Sequence, residues 1–211
     1  MANGGRQLRS KENGNRCVAV VKAKDLQTVR SRAGVHFDKN GNIRNQSLRA
    51  VLCVSLTDAH QGLVTEIKVV ASGNEFIVTD DGPGISLDSL PGRDPVAQEM
   101  MSLIGGCGEH KPHPQYAELL CGTSIAEVNA ISCAASLATM IDGVAWAQKY
   151  SFGEPSAPFK QVNRTSPGSR FRFELDKRYA GSKPFDFEAL DKEIRSIGLK
   201  LENTKITYSE D

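Results

Sequence analysis

A surplus of charge of either sign is missing from this sequence: 26 Lys and Arg stand against 25 Asp and Glu, a formal net charge of +1. So even a balance gives no reason to expect attraction to nucleic acid or to a membrane surface. Long apolar runs are missing too. No window approaches the roughly 18 apolar residues that a membrane-spanning helix requires. The first sixteen residues, MANGGRQLRSKENGNR, hold no apolar run, which excludes a signal peptide there and leaves a disordered polar tail as the expectation. A cytoplasmic location follows as an expectation. Cysteine is sparse and odd in number, five in all, so reduced thiols are expected rather than a disulfide framework. Aromatic residues make up 6%, and the single Trp, Trp146, lies with Tyr150 in a strand-like stretch without a basic cluster, so no base-stacking platform is indicated.

What is present is ordinary globular material. The 211 residues are 39% apolar and 24% charged, enough for one domain with a full core. The expected organisation is a tail over 1–16 and a single domain over 17–211, without repeats. CVAVVKAKDLQTVRSR begins as a short apolar run and continues as a weakly amphipathic helix. NQSLRAVLCVSLTDAHQG places Leu48, Val51, Leu52, Ser55, Leu56 and Ala59 at helical spacing, with Gly62 as the stop. TEIKVVAS and EFIVTD flank Gly-Asn as a hairpin. DPVAQEMMSLI, opened by Asp-Pro, is expected to be a helix. Residues 105–121 form a glycine- and proline-broken loop, a candidate lid. TSIAEVNAISCAASL is expected to be helical, with Ser124 and Glu127 spaced for a capping box. Strands are expected at about 138–152 and at 169–175, then a helix in FDFEALDKEIRSIGL and a strand in TKITYS. The fold class is α+β, a two-layer sandwich with helices on one face of a mixed, mostly antiparallel sheet.

The stretch EFIVTDDGPGI, residues 75–85, runs a strand into Asp-x-Gly-x-Gly. A carboxylate there can accept a hydrogen bond from an exocyclic amine, and the glycines let backbone approach a flat ring. LQTVRSRAGVHF, the long helix, TEIKVV, TDDGPGIS, EVNAISCAAS, SPGSRFRFE and the final helix-strand unit follow one another in the order, and nearly at the spacing, of the ATPase domain of the DNA gyrase B subunit. Residues 25–211 resemble that family and topoisomerase IV subunit ParE alike. The resemblance implies the Bergerat ATP-binding fold of the GHKL superfamily, with the nucleotide between helices and sheet. It makes Asp80 the adenine-binding carboxylate, Gly82, Gly84 and Ile85 the pocket wall, and Ser169 the hydroxyl that supports the adenine contact through water. Asp81 is expected to cap the turn. Pro83 stands where gyrase has an arginine.

The phosphate side departs from the family. The general-base Glu and the Mg²⁺-binding Asn of the first long helix correspond to Cys53 and Thr57, and a later acidic position to His60. A thiol is a poor substitute for a carboxylate. Asp58, one residue on, is expected to face elsewhere, because a single step turns a helix by about 100°. The family's phosphate loop aligns with Leu119–Ser124 and retains only Gly122; Gly108 stands near the position of the lid lysine. The transducer and toprim domains of gyrase are not expected in a chain of this length. The implied function is a gyrase-B-like domain that keeps its adenine pocket and has lost its catalytic side. Such a domain binds ATP or ADP with doubtful use of Mg²⁺, dimerises or engages a gyrase-related partner, and is not a topoisomerase by itself.

Two further readings stay open. In one, ATP is hydrolysed with Glu118, Glu127 or Asp58 as the substitute base. In the other, Cys107, His110, His113 and Cys121, spaced C-x2-H-x2-H-x7-C, hold Zn²⁺, or Cys53 and His60, on one helix face, look into the pocket as thiol and imidazole. Arg164, Arg170 and Arg172 are expected to form a solvated strand face.

Overall fold

The structure, a computed structural model, describes residues 24–89, 91–92, 94–102 and 123–210. Its elements run α1 (Lys24–Ser31), α2 (Ala33–His36), α3 (Ile43–His60), β1 (Glu66–Ser72), β2 (Glu75–Asp80), α4 (Val96–Ser102), α5 (Ile125–Ala130), β3 (Ser132–Ile141), β4 (Val144–Ser151), β5 (Glu154–Pro155), β6 (Lys160–Gln161), β7 (Ser169–Leu175), α6 (Phe187–Ser196) and β8 (Lys205–Glu210). The sheet order is β5-β4-β3-β7-β2-β1-β8, with β6 also paired to β4. All pairings are antiparallel except that of β1 with β8. This is the α+β sandwich with a mixed, mostly antiparallel sheet that the sequence led us to expect.

The inward face of the sheet follows from period-two alternation. Ile67, Val69 and Ala71 of β1, Phe76 and Val78 of β2, Leu137 of β3, and Phe171, Phe173 and Leu175 of β7 are buried. Rings of Phe76 and Phe173 stack at 5.5 Å. The same alternation delivers Asp80, two residues after Val78, to the core side at 5% exposure. Against this face lies α3, opened by Asn42, whose side chain accepts from the Asn45 N–H at 3.2 Å. Its stripe of Leu48, Val51, Leu52, Ser55, Leu56 and Ala59 is buried throughout, each large side chain contributing on the order of 2 kcal/mol.

One expected helix ends early. The stretch 123–137 is helical only as α5; Ile131 caps it, and Ser132 onward turns into β3. The physical reason is the place of β3 in the sheet, paired to β4 along one edge and to β7 along the other. Two ladders outweigh the local helical preference of CAAS. The tail at 1–16 and the loop at 105–121 lie outside the described residues.

Candidate functional site

Asp80 ends β2 and its carboxylate is held by three donors. Oδ2 accepts from the Ser55 hydroxyl of α3 at 2.7 Å. Oδ1 accepts from the Ser169 N–H at 3.0 Å and from the Gly82 N–H at 3.1 Å. Three elements, α3, β7 and the turn after β2, therefore converge on one buried acid. Ser55 has no exposure and Ser169 3%. Two glycines make the approach possible. Gly168 has φ +74°, and a Cβ there would lie 2.1 Å from the Asp80 carbonyl oxygen and 2.6 Å from Oδ1. Gly84 has φ +81°, and its Cβ would lie 2.3 Å from the Met140 carbonyl oxygen. Ile85, buried at 1%, is pinned beside it: its N–H donates to Thr139 Oγ1 at 2.7 Å.

Asp81, expected to cap the turn, binds the start of β1. Its Oδ1 accepts from the N–H groups of Thr65 and Glu66 at 2.8 and 2.9 Å, and its Oδ2 from the Thr65 hydroxyl. Burial pushes this carboxyl up, but those hydrogen bonds outweigh it and hold the group below the ordinary carboxylate range.

Ser55 marks the side of α3 that faces Asp80. Asp58 lies about 60° from Ser55 round the helix, whereas Cys53 and Thr57 each lie about 160° away. Burial, then the nearby Asp80 charge, push the Asp58 carboxyl up to about 6. So Asp58, expected to face elsewhere, stands on the Asp80 side. The far side carries Arg49, which pairs with Glu193 of α6, and His60, whose Nδ1 accepts from the Lys200 N–H at 3.2 Å. Cys53 is buried on that side, with Arg49 the charge that acts on it; burial pushes its thiol up to about 12. The Thr57 hydroxyl donates to the Cys53 carbonyl at 2.6 Å. Cys53 and His60 do share a face, but it is turned to α6 and the segment after it. Nor does the Thr57 hydroxyl, bound to its own helix and turned from Asp80, fit the role of Mg²⁺ ligand.

Glu127 is committed as well. It is buried at 4%; one oxygen takes the Ser124 N–H in a capping box and the other bonds His36 Nδ1 at 2.6 Å. Thr123 donates its hydroxyl to the His36 carbonyl at 2.9 Å. This clasp joins α2 to the start of α5. Among the described residues no group of three or more His, Cys, Asp and Glu is placed to hold a metal. Cys107, His110, His113, Cys121, Gly122, Gly108 and Glu118 lie outside the described residues.

Two members of the site were not expected from the sequence. Ser55 was legible in principle, since a serine on an otherwise apolar buried stripe requires a buried partner. Arg164, expected on a solvated strand face, carried no such signal. It is half-buried in the segment before β7, donates to the Pro167 and Gly168 carbonyls at 3.1 Å each, and lies within the field of Asp80. Burial pulls it below the ordinary guanidinium range against that field. A separate cleft of about 580 Å³ beside α2 excludes Asp80. Two of its three arginines are engaged locally, Arg30 with the Phe152 carbonyl and Arg178 with Asp176.

No protein-family model matches the chain. It is similar to the DNA gyrase B subunit of Haloferax volcanii, 26% identical over 199 residues, covering 88% of this chain and 30% of that one. The DNA gyrase B subunit of Borrelia hermsii is 27% identical over 192 residues, covering 89% and 30%. The chain thus spans about 30% of the length of the curated relatives it matches. Among solved structures, the topoisomerase IV ATP-binding domain of Francisella tularensis, in complex with a small-molecule inhibitor, superposes with a TM-score of 0.71 at 20% identity, covering 91% of this chain and 52% of that one. No described helix is long and apolar enough to cross a membrane. By sequence the chain is similar to the DNA gyrase B subunit, and its fold is like that of the topoisomerase IV ATP-binding domain.

Proposed function

We propose that this chain is an adenine-nucleotide-binding module in which Asp80 accepts the base amine, and that it acts by binding, alone or with a gyrase-related partner, rather than by hydrolysis. The observation that carries this reading is the buried Asp80 carboxylate, held by Ser55, Ser169 and Gly82. A buried charge of this kind costs several kcal/mol unless donors surround it. Three fixed donors keep it in one orientation, which suits an acceptor for a single N–H. The hydrolytic side has no such support, because Cys53 and Thr57 turn away from Asp80 and Glu127 is bound twice.

Calorimetric titration with ADP and with a nonhydrolysable ATP analogue, with and without Mg²⁺, tests the reading. Saturable binding that disappears in Asp80→Asn and is indifferent to Mg²⁺ is the expected result. Absence of heat at millimolar nucleotide, a binding free energy weaker than about 4 kcal/mol, would overturn it.

One observation favours a second reading. Asp58 stands beside Asp80 with its carboxyl raised to about 6, near the range suited to a general base at neutral pH. Steady ATP turnover abolished by Asp58→Asn would make the chain an ATPase with a relocated base.

A further inference from the structure

We infer that Ser55 is the positioning residue that makes the Asp80 pocket selective for a base with one exocyclic amine, the aminopurine of adenine, over a base with two adjacent donors, as in guanine. This rests on the nucleotide reading of Asp80 and goes beyond it, since it assigns the selectivity to a side chain that does not touch the ligand.

An ionised carboxylate offers about four acceptor positions. On Asp80, the Ser169 and Gly82 N–H groups occupy both positions of Oδ1, at 3.0 and 3.1 Å. Gly168 closes the same flank, where a Cβ would lie 2.6 Å from Oδ1. The Ser55 hydroxyl takes one position of Oδ2 at 2.7 Å. One acceptor position remains, and it belongs to Oδ2. A single amine N–H satisfies it. The paired N–H and amine donors on one edge of guanine do not, and desolvating a donor without an acceptor is costly.

Ser55 controls this count. Backbone groups fix Oδ1 whatever the side chains are, whereas Oδ2 has its orientation set by the hydroxyl alone among the described contacts. The hydroxyl is reached by no solvent and directs its only proton at Asp80. Removing it leaves Oδ2 with two open positions and no lateral restraint, so the amine loses its aimed acceptor and the two-donor edge ceases to be excluded.

The test compares adenosine, purine riboside, which lacks the amine, and guanosine in calorimetric titrations of wild type, Ser55→Ala and Ser55→Cys. Wild type is expected to prefer adenosine to each of the others by about tenfold or more, the scale of one hydrogen bond to a charged group. Ser55→Ala should reduce both ratios to within about threefold. Ser55→Cys, which keeps the volume and a weak donor, should fall between and guards against misfolding of the alanine variant. A purely structural role for Ser55 would weaken all three ligands alike and leave the ratios unchanged, which would overturn the inference while leaving the nucleotide site intact. Equal wild-type affinity for guanosine and adenosine would also overturn it. If wild type binds neither adenosine nor ADP, the nucleotide reading itself falls and takes this inference with it.

Discussion

The two sides of α3 have opposite chemistry although they are cut from one helix. Toward β2, Ser55 and Asp58 stand near a buried carboxylate, and the serine donates its hydrogen bond to it. Toward α6, Arg49 is paired with Glu193, Cys53 is a buried thiol and His60 accepts from the backbone of Lys200. The charged and imidazole groups of the second side attach α3 to its neighbours. On the first side, Asp80 has an acceptor position left over and Asp58 is held in its less favoured charge state. The apolar stripe around Ser55 packs the core, so the contrast lies in the polar groups: those toward α6 are bonded to neighbouring elements, those toward β2 leave bonding capacity open, and ligand sites form where it is left open.

Damage to the Asp80 side should have the largest effect, and Gly168 is its most sensitive point. Gly168→Ala puts a Cβ against the Asp80 backbone and carboxylate at φ +74°. We expect a loss of about 3 kcal/mol or more, since strain adds to displacement of a buried charged group, with loss of nucleotide binding. Gly198, just past α6, has nearly the same φ of +73°, but a Cβ there would point into open space. Gly198→Ala should therefore cost only about 1 kcal/mol from the left-handed backbone and leave binding unchanged. Urea midpoints for both variants check the pair; equal losses would mean that the crowding at Asp80 is relieved without cost.

The same contrast explains what could be read from the sequence. The stripe Leu48 to Ala59 and the alternation of β2 are short-range patterns, and both place their residues as expected, Asp80 included. The first part of β3, residues 132–137, was not legible, because SCAASL holds small residues without a helix breaker and becomes a strand only through two ladders, to β4 and β7, that join distant segments. The parallel pairing of β8 with β1 is non-local in the same way. The facing of α3 was harder still. Family resemblance puts the catalytic positions at Cys53 and Thr57; the stripe sets the inward side of the helix, and the bond from Ser55 to Asp80 shows that this side, not that of Cys53 and Thr57, meets the sheet acid.

Asp58 gives a smaller, signed effect. Its carboxyl is raised from the ordinary 3.8 to about 6 by burial and by Asp80. Between these values the folded protein binds more protons than the unfolded chain, so stability must fall as pH rises from about 4 to 6 and stay lowered above that. Because Asp58 is only half-buried, solvent screening limits the penalty to on the order of 1 kcal/mol. Asp58→Asn should flatten that part of the stability profile and raise the thermal midpoint at pH 7. An unchanged profile would remove Asp58 from the neighbourhood of Asp80 and with it the less favoured charge state assigned to this group.

The smallest effect belongs to the α6 side. Cys53 is buried with its thiol pushed up to about 12, so almost none is thiolate at pH 8, and the thiolate is the reactive form. Cys133, half-buried and also raised by burial and then by Glu174, sits nearer solvent. A thiol-alkylating reagent applied to native protein at pH 8 should label the peptide containing Cys133 before the one containing Cys53, as peptide mass mapping will show. Cys53→Ser should cost about 1 kcal/mol through a hydroxyl placed in an apolar setting and alter nucleotide affinity by less than about twofold. Rapid labelling of Cys53, or a large loss of affinity in Cys53→Ser, would bring the thiol into the pocket and dissolve the division of labour between the two sides of α3.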